Sequence, residues 1–422
     1  MSGIVGVVRE KDLKASNLIL YGLYALQHRG QANAGIGMID GNEMVIKKGT
    51  GQVTSVFRDD VEFSLPGSRG IGHVKYGEYK DFDKEQPILP NQYEIKGQKC
   101  LIALDGNIHN SDFSIYEMTK SMTGSISGIK DYLKGLRGAF GGIYLDRYKM
   151  IGFRDPWGFK PICVGKIDDG FIIASETCAI DSCGGILIKM LEKGEMVVIK
   201  NGKAEFFKYH DMPKKSCLFE MIYVSRPDSY MDSVSIYKSR NNMGKILFEE
   251  NPTDADIVMG APDSGLIAAI GYAEASKIPY KDGIIKNRYV GRTFITPDDD
   301  TRTKDIFIKL NPIKEVLKDK KVILVDDSIV RSSTIKRTVK MLKEAGAKEV
   351  HVRISAPMVK YTCNLSLDLP DKDSLIASKM DVEQIRERIG ADSLYYISLE
   401  GLKRACEDME VCDHCFTGNY PI

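Results

Sequence analysis

Several features that mark particular classes of protein are absent from the sequence. Its 59 lysines and arginines nearly balance its 58 aspartates and glutamates, so we predict no basic face for binding nucleic acid. No apolar run approaches the roughly 20 residues of a membrane-spanning helix, and there is no short repeat or low-complexity tract. Nine cysteines in 422 residues are too few for a secreted disulfide scaffold, so reduced thiols or metal ligands are the better interpretation.

The composition and the first residues indicate an ordinary globular protein. With 43% hydrophobic and 28% charged residues the chain can bury a substantial core, and its length suggests two or three domains. Residues 1–8 show no basic region ahead of a long apolar run and no small-residue cleavage site. We therefore expect a cytoplasmic protein without membrane attachment.

The first half of the chain shows a mixed pattern of strands and helices. Short β-like runs, such as 4–8, 36–39 and 171–174, are separated by glycine-containing turns, and one helical pattern spans 16–27. This mixture predicts an α+β domain, to which we assign residues 1–213.

Beyond this domain the pattern changes to buried apolar strands, each followed by a helix. The runs 257–259 and 322–325 are uniformly apolar, and they precede helical patterns over 266–275 and 334–345. This alternation predicts a parallel α/β domain, to which we assign residues 214–422.

The strongest local signal is an apolar strand that ends in two carboxylates and leads through a hydroxyl-rich turn into a helix, Lys321-Val-Ile-Leu-Val-Asp-Asp-Ser-Ile-Val-Arg-Ser-Ser-Thr334. Ligands bind outside the carboxyl ends of strands in open α/β sheets, and a helix N-terminus directs unpaired N–H groups at an anion. Asp326 and Asp327 would repel a phosphate, but they can accept hydrogen bonds from ribose hydroxyls or bind Mg²⁺. The pattern therefore indicates a sugar phosphate, although Asp-Asp-Ser standing alone would more often be an ordinary helix cap.

This stretch resembles the phosphoribosyl pyrophosphate (PRPP) motif of type I phosphoribosyltransferases, and its core is similar to that of glutamine phosphoribosylpyrophosphate amidotransferases. The segments Gly260-Ala-Pro-Asp-Ser-Gly265 and Ile285-Lys-Asn-Arg-Tyr-Val-Gly-Arg-Thr-Phe-Ile295 resemble the same family. The resemblance implies a pyrophosphate loop at 263–265 and a flap at about 287–309 that closes over the substrate. The implied PRPP-binding residues are Asp263, Ser264, Gly265, Lys286, Arg288, Arg292, Asp326, Asp327, Ser328, Arg331, Ser332, Ser333 and Thr334.

The implied site has a consistent chemistry. Lys286, Arg288 and Arg292 supply cations for the leaving pyrophosphate, and closure of the flap excludes water. Ser264, Asp326 and Asp327 are the implied Mg²⁺ ligands.

Two departures from the family pattern occur near this site. The usual Arg-Gly-Thr-Thr is Arg331-Ser-Ser-Thr334 here, and the flap is acidic at 298–300. If the family glycine has a positive φ, we expect Ser332 to be mildly strained.

The end of the chain contains a possible metal-binding pair. Cys412-Asp-His-Cys415 has metal-ligand spacing, but one such pair also fits a redox-active or incidental arrangement. The segment resembles the iron–sulfur-containing branch of the same family, which implies Cys217 and Cys363 as the other two ligands. Four such thiolates suit a structural [4Fe–4S] cluster, with tetrahedral Zn²⁺ as the alternative. We expect the remaining cysteines to be small buried hydrophobes, namely Cys100, Cys163, Cys178, Cys183 and Cys406.

Residues 2–210 resemble class II glutamine amidotransferase domains. The segments that carry this resemblance are Tyr21-Gly-Leu-Tyr-Ala-Leu-Gln-His-Arg-Gly-Gln31, Gly72-His-Val-Lys-Tyr76, Arg154-Asp-Pro-Trp-Gly-Phe-Lys-Pro161 and Ala174-Ser-Glu-Thr-Cys178. The implied fold is an α+β N-terminal-nucleophile hydrolase domain of four αββα layers, followed by the α/β type I phosphoribosyltransferase domain.

Four departures predict that the glutamine chemistry is lost. The family's nucleophilic cysteine is Ser2, which at neutral pH has essentially no ionised fraction. Lys75 replaces an arginine that holds the glutamine carboxylate, and Asp105 in Leu104-Asp-Gly-Asn107 replaces an oxyanion-hole amide donor, so we expect it to repel an oxyanion. The acidic segment that binds the glutamine amino group has no counterpart between 112 and 134. The degraded glutamine site therefore comprises Lys75, Asp105, Gly106 and Asn107, and we expect Glu176 and Arg29 to persist as packing and hydrogen-bonding residues.

The resemblance implies a purine-biosynthetic amidophosphoribosyltransferase-like enzyme that displaces pyrophosphate from PRPP with ammonia or another small amine. Glutamine would be a poor donor. A phosphoribosyltransferase with a different acceptor and a non-catalytic protein that senses PRPP or nucleotides remain alternatives. Nucleotide effectors and a homo-oligomer, either dimer or tetramer, are also expected.

Overall fold

The protein is described by a computed structural model that covers residues 1–10, 14–57, 64–77, 88–287, 310–365, 367–420 and 422. The helices are α1 (Ala15–Ala25), α2 (Val53–Val56), α3 (Ile115–Met122), α4 (Ile126–Lys134), α5 (Thr177–Ser182), α6 (Ile236–Glu250), α7 (Leu266–Ser276), α8 (Lys314–Leu317), α9 (Ser333–Glu344), α10 (Val382–Ile389), α11 (Leu399–Ala405) and α12 (His414–Thr417). Within these ranges no helix combines the length and apolar character needed to cross a membrane.

The strands fall into two groups along the chain. Those of the first half are β1 (Ser2–Arg9), β2 (Asn33–Asp40), β3 (Glu43–Thr50), β4 (Arg69–Lys75), β5 (Asn91–Ile95), β6 (Gln98–Ile108), β7 (Gly138–Asp146), β8 (Met150–Arg154), β9 (Cys163–Ile167), β10 (Gly170–Ala174), β11 (Ile186–Met190), β12 (Glu195–Lys200) and β13 (Lys203–Lys208). Those of the second half are β14 (Ser216–Cys217), β15 (Tyr230–Met231), β16 (Val234–Ser235), β17 (Ile257–Gly260), β18 (Ile284–Lys286), β19 (Leu310–Pro312), β20 (Lys321–Asp326), β21 (Glu349–Ile354), β22 (Ser393–Tyr396) and β23 (Val411–Cys412).

The first half contains two antiparallel sheets packed face to face. Seven strands pair in the order β11-β9-β10-β1-β4-β2-β3, and six pair in the order β13-β12-β8-β7-β6-β5. Side chains alternate between the faces of a strand, so Val5 and Val7 of β1 pack with α1 and α5, whereas Ile4 packs between the sheets. The segment 112–134 is where the family's acidic segment has no counterpart. It folds as α3 and α4 and covers the second sheet. These layers form the predicted αββα arrangement.

The second half is built on a parallel sheet with the strand order β17-β20-β21-β22. Ile323 and Val325 of β20 pack on the face covered by α6, α7 and α11, whereas Val322 and Leu324 pack on the face covered by α9 and α10. Both faces are therefore buried, which explains the uniformly apolar run of this strand. The strands and helices predicted from the sequence are confirmed, and the predicted boundary at residue 213 lies between β13 and β14.

None of the nine cysteines, all of which lie in the described ranges, forms a disulfide bond. Of the five that were predicted to be buried, Cys183 is partly exposed, because it lies just beyond the end of α5. The other four are buried as predicted.

Buried contacts join the two halves of the chain. Arg154 donates hydrogen bonds to both carboxylate oxygens of Asp232, at 2.6 and 3.1 Å. Trp157 and Phe159 from the first half pack against Leu365 from the second. The halves therefore share a buried interface with both polar and apolar parts.

Candidate active site and cysteine cluster

The loops that were predicted to bind PRPP meet at the carboxyl ends of β17 and β20. Ser264 Oγ donates a hydrogen bond to Asp326 Oδ1 at 3.3 Å, which joins the pyrophosphate loop to the acidic loop. Gly265 approaches β20 so closely that an added Cβ would lie 2.2 Å from the carbonyl oxygen of Val325. A side chain at this position would separate the two loops, which explains the glycine.

Asp326 and Asp327 bring two carboxylates into a small, largely buried volume. The Asp327 N–H donates to Asp326 Oδ1 at 2.9 Å, and Ser328 Oγ donates to Asp327 Oδ2 at 2.6 Å. Burial and the neighbouring Asp327 charge raise the pKa of Asp326 well above its usual range. A cation or hydroxyl donors at this place would relieve the repulsion between the two groups.

Further predicted cationic and hydroxyl side chains that the structure describes lie on β18 and at the start of α9. Lys286, at the end of β18, forms an ion pair with Asp263 of the pyrophosphate loop. Arg331, Ser333 and Thr334 are exposed at the start of α9. The predicted flap from 288 to 309, which contains Arg288, Arg292 and the acidic residues 298–300, lies outside the described residues.

The predicted strain at Ser332 is wrong. Its φ is −69°, because it adopts right-handed backbone geometry at the cap of α9 rather than the left-handed region. Its hydroxyl accepts a hydrogen bond from Arg388 Nε at 3.1 Å. Serine therefore fits this position without a conformational cost.

In the first half, Ser2 lies buried at the start of β1, beside the carboxylate of Asp105. The Ser2 backbone N–H donates to Asp105 Oδ1 at 2.8 Å, and the carboxylate lies 3.2 Å from Lys160 Nζ and 3.3 Å from Arg29 Nη2. Burial opposes ionisation, but these two cations, together with the positively charged amino terminus, outweigh it, so the pKa of Asp105 is lowered. The two cations partly balance the negative charge that we expected to repel an oxyanion. The ionised Asp105 carboxylate still cannot donate a hydrogen bond.

The other residues of the predicted glutamine site lie on β4 and β6. Gly106 has a φ of +111°, and a Cβ there would lie 1.9 Å from the carbonyl oxygen of Ala139, so the position requires glycine. Asn107 Nδ2 donates to the carbonyl oxygen of Asn364 in the second half, at 3.2 Å. Burial lowers the pKa of Lys75 to about 7, so its charged and neutral forms are both populated at neutral pH.

Glu220, which no motif singled out, links this pocket to the second half. Its carboxylate oxygens accept hydrogen bonds from Arg29 at 2.7 and 2.9 Å and from Ser225 Oγ at 2.8 Å. Lys160 Nζ lies 3.9 Å away, and the side chains of Arg29, Lys160 and Glu220 have no solvent exposure. Arg240 on α6 donates hydrogen bonds to the carbonyl oxygens of Met221 and Ser225. These bonds fix the segment that contains Glu220 against α6.

Glu176 completes the buried charge network on its other side. It accepts hydrogen bonds at 2.7 Å from His28, Arg29 and Ser229, and one at 2.9 Å from the Arg226 N–H. The expectation that Glu176 and Arg29 are hydrogen-bonding residues is confirmed. Arg29 is thereby shared by three buried carboxylates.

The four cysteines predicted to be metal ligands line one cavity. The parallel pairing of β14 with β23 places Cys217 opposite Cys412, and α12 carries Cys415. Burial, together with nearby negative groups, raises the pKa of Cys217 to about 12 and that of Cys412 to about 11. In the described part of the chain no three His, Cys, Asp or Glu side chains are arranged to hold a single metal ion. The aromatic and apolar part of the wall consists of Phe159, Phe219, Leu365, His414, Phe416 and Tyr420.

Comparison with known proteins agrees with this architecture. Residues 234–362 match the model of the phosphoribosyl transferase domain family. The amidophosphoribosyltransferase of Archaeoglobus fulgidus is 41% identical over 100% of this chain and 98% of its own length, and that of Methanocaldococcus jannaschii is 40% identical with the same coverage. The structure of glutamine PRPP amidotransferase from B. subtilis, complexed with ADP and GMP, superposes with a TM-score of 0.89 at 36% identity, covering 99% of this chain and 97% of that one. A structure described as the allosteric regulatory enzyme of purine biosynthesis also has a TM-score of 0.89, at 37% identity, over 99% of this chain and 96% of that one.

An αββα domain of the N-terminal-nucleophile hydrolase type, joined to a type I phosphoribosyltransferase domain, defines a pentosyltransferase with an appended amidotransferase-like domain. The predicted fold is thereby confirmed. The chain belongs to the amidophosphoribosyltransferase family.

Proposed function

We propose that this enzyme displaces pyrophosphate from PRPP with ammonia, or another small amine, and forms 5-phosphoribosylamine or a related product. The observation that carries the proposal is the meeting of the pyrophosphate loop, the acidic pair and Lys286 at the carboxyl ends of β17 and β20. The nitrogen nucleophile attacks C1 with inversion as pyrophosphate leaves. Since a neutral amine already carries a lone pair, no protein base is obligatory.

Each part of this site has a role in the proposed reaction. Asp326 and Asp327 accept hydrogen bonds from the ribose hydroxyls, and with Ser264 they hold Mg²⁺, which would neutralise charge on the pyrophosphate. Mg²⁺ is commonly held by one or two carboxylates together with substrate phosphates, and the crowding of this pair favours such a counter-charge. The residues from 328 to 334 would cradle the 5-phosphate at the start of α9.

Replacing Asp327 with asparagine is expected to weaken PRPP binding in the presence of Mg²⁺ without unfolding the protein. The change removes one charge while conserving volume, and losing a charged hydrogen bond costs about 1.5–3 kcal/mol, or roughly tenfold to a hundredfold in affinity. Isothermal titration calorimetry measures this effect directly. Asp373→Asn is the matched control, because Asp373 is 93% exposed in the same half of the chain and should leave the affinity unchanged.

An unchanged affinity in Asp327→Asn, with an unchanged melting temperature, would mean that the acidic motif is a structural relic. The non-catalytic sensing function would then be the better account.

We infer that glutamine is a poor nitrogen donor for this enzyme. The support is the set of groups around Ser2: Asp105 offers acceptor oxygens where the family pattern has an amide donor, and burial lowers the pKa of Lys75 to about 7, which weakens it as a clamp for a carboxylate. Lys160 and Arg29 hold the Asp105 carboxylate in its ionised form. A carboxylate cannot donate the hydrogen bonds that stabilise an oxyanion.

We also infer that Cys217, Cys363, Cys412 and Cys415 hold a [4Fe–4S] cluster. The support is the convergence of four thiols from three distant segments on one cavity with aromatic walls. A cluster of four irons is larger than a single ion, so its thiolates stand further apart around it. When bound, the cluster would lower the raised thiol pKa values and tie β14 to the end of the chain.

Replacing Cys415 with serine is expected to abolish the brown colour of anaerobically purified protein and to lower its melting temperature. Iron and sulfide analysis should give the ratio of a four-iron cluster in the wild type and a clear deficit in the variant. Cys183→Ser is the control, because Cys183 is a free thiol outside the cavity and should leave the iron content intact. Colourless wild-type protein with stoichiometric zinc would show that the cysteines bind zinc and that the proposed iron–sulfur cluster is wrong.

Nucleotide effectors and homo-oligomer formation remain predictions for this chain. The B. subtilis structure contains ADP and GMP, which supports testing both nucleotides as effectors of pyrophosphate release.

A further inference from the structure

His414 lies in the wall of the cysteine cavity, between two of the cysteines in sequence. It is 6% exposed, and it lines the same cavity as Cys412 and Cys415. Within the part of the chain that the structure describes, no hydrogen-bond partner reaches its buried Nδ1 atom. A buried polar atom that has lost its hydration needs a partner, so a ligand in this cavity would supply what the protein does not.

Aromatic contacts fix the position of the His414 ring. Its centroid lies 3.6 Å from that of Tyr420 and 5.9 Å from that of Tyr361. The Tyr420 hydroxyl accepts a hydrogen bond from the Asn364 N–H at 2.6 Å, and Asn364 directly follows Cys363. The imidazole is therefore held by the same segment that presents one of the four thiols.

We propose that His414 donates an Nδ1–H hydrogen bond to a sulfur atom of the cluster held by the four cysteines. This inference rests on the proposed cluster. Thiolate and sulfide sulfurs are anionic acceptors, and hydrogen bonds to them set the reduction potential of a cluster. Because a neutral imidazole carries one N–H, the proposal assigns the proton to Nδ1. His414 is thus a residue that tunes the cluster rather than a ligand to iron.

Resonance Raman spectroscopy of the anaerobically purified protein tests this contact without relying on activity. His414→Phe keeps an aromatic ring beside Tyr420 but has no N–H, whereas His414→Asn places an amide nitrogen close to the position of Nδ1. All three proteins should contain full iron and sulfide. We expect the Fe–S stretching bands to move to higher frequency in His414→Phe and to stay near the wild-type values in His414→Asn. Exchange into D₂O should shift the bands of the wild type and His414→Asn, but not those of His414→Phe.

The reduction potential gives a second readout. Loss of the hydrogen bond should disfavour the reduced cluster roughly tenfold, which corresponds to a potential about 59 mV more negative for a one-electron couple. If His414→Phe does not fold, His414→Gln replaces it, since the longer side chain moves the amide away from the Nδ1 position.

The outcomes separate this inference from the proposed cluster. Unchanged Raman bands, deuterium shifts and potential in the iron-loaded Phe or Gln variant would overturn the role of His414 and leave the cluster in place. Loss of iron from both the Phe and Asn variants would overturn it too, because His414 would then be a ligand or a structural residue. Colourless wild-type protein would overturn both proposals.

Discussion

Replacing Arg29 with methionine is expected to lower the free energy of unfolding by about 3–5 kcal/mol, the usual cost of breaking a buried ion pair by removing one partner. Arg29 has no solvent exposure and is shared by Asp105, Glu176 and Glu220, which are themselves buried. Without the guanidinium, Lys160 still lies beside these groups, with its Nζ 3.2 Å from Asp105 and 3.9 Å from Glu220. Methionine has a similar volume and no charge, so the loss of charge dominates the effect.

The pH dependence of this effect follows from the direction of one pKa. Burial opposes ionisation of Glu176, but His28 and Arg29 outweigh it and hold the pKa of the carboxyl well below its usual range. A depressed carboxyl pKa contributes stability that is present above the unfolded value, about 4.3, and is lost as the pH falls through the folded value. The difference in the free energy of unfolding between wild type and Arg29→Met should therefore be largest near neutral pH and become smaller in acid.

Guanidinium unfolding followed by tryptophan fluorescence is a suitable measurement. The chain has one tryptophan, Trp157, and it is buried in the cluster that joins the two halves, so its emission reports on the interface. Lys238→Met is the matched control, because the Lys238–Glu407 pair is exposed and such pairs contribute about 0–1 kcal/mol. If Arg29→Met proves as stable as this control, the buried network does not hold the two halves together.

Ser2→Cys alone is expected not to restore glutamine hydrolysis. Removing one oxyanion-hole donor costs about 10²–10³ in rate, and Asp105 stays at the donor position in this variant. In a chain that has lost Met1, the nitrogen of residue 2 would be an α-amino group 2.8 Å from Asp105 Oδ1. A carboxylate at that distance favours the protonated amine, which cannot act as a general base.

Glutamate release is the measurement for this prediction. The combined variant Ser2→Cys, Lys75→Arg and Asp105→Asn is the comparison, and it should release more glutamate than Ser2→Cys alone. Its melting temperature must be measured as well, since Asp105→Asn also removes a counter-charge from Lys160. Glutamate release at family-typical rates from the natural chain or from Ser2→Cys would contradict the proposed loss of glutamine chemistry.

The fold and the meeting of the two loops at one sheet edge were predictable because their signals are local. The run 321–334 combines a buried strand, two carboxylates and a helix start within one segment, and chain topology alone brings 260–265 beside it. The convergence of the four cysteines on one cavity was also predictable, since each lies in a segment that resembles the family pattern. The conformation of Ser332 was not, because its φ depends on how α9 begins rather than on residue identity.

The buried charge network could not be predicted from the sequence, for a physical reason. Glu220 lies three residues after Cys217, but its partner Arg29 is 191 residues away in the other half of the chain. Lys160 has the same difficulty, since it meets Asp105 only after the two sheets have packed. Such pairings depend on tertiary structure, and no spacing rule within either segment indicates them. His414 could likewise be seen in the sequence, but the sequence does not show that its Nδ1 atom is buried without a hydrogen-bond partner.

The most direct test of the proposed function is pyrophosphate release from PRPP by the anaerobically purified protein, with Mg²⁺ and with ammonia, glutamine or no added amine. We expect release with ammonia that depends on Mg²⁺, and release with glutamine no faster than without an amine. Release with glutamine at the rate seen with ammonia, accompanied by an equal amount of glutamate, would contradict the account.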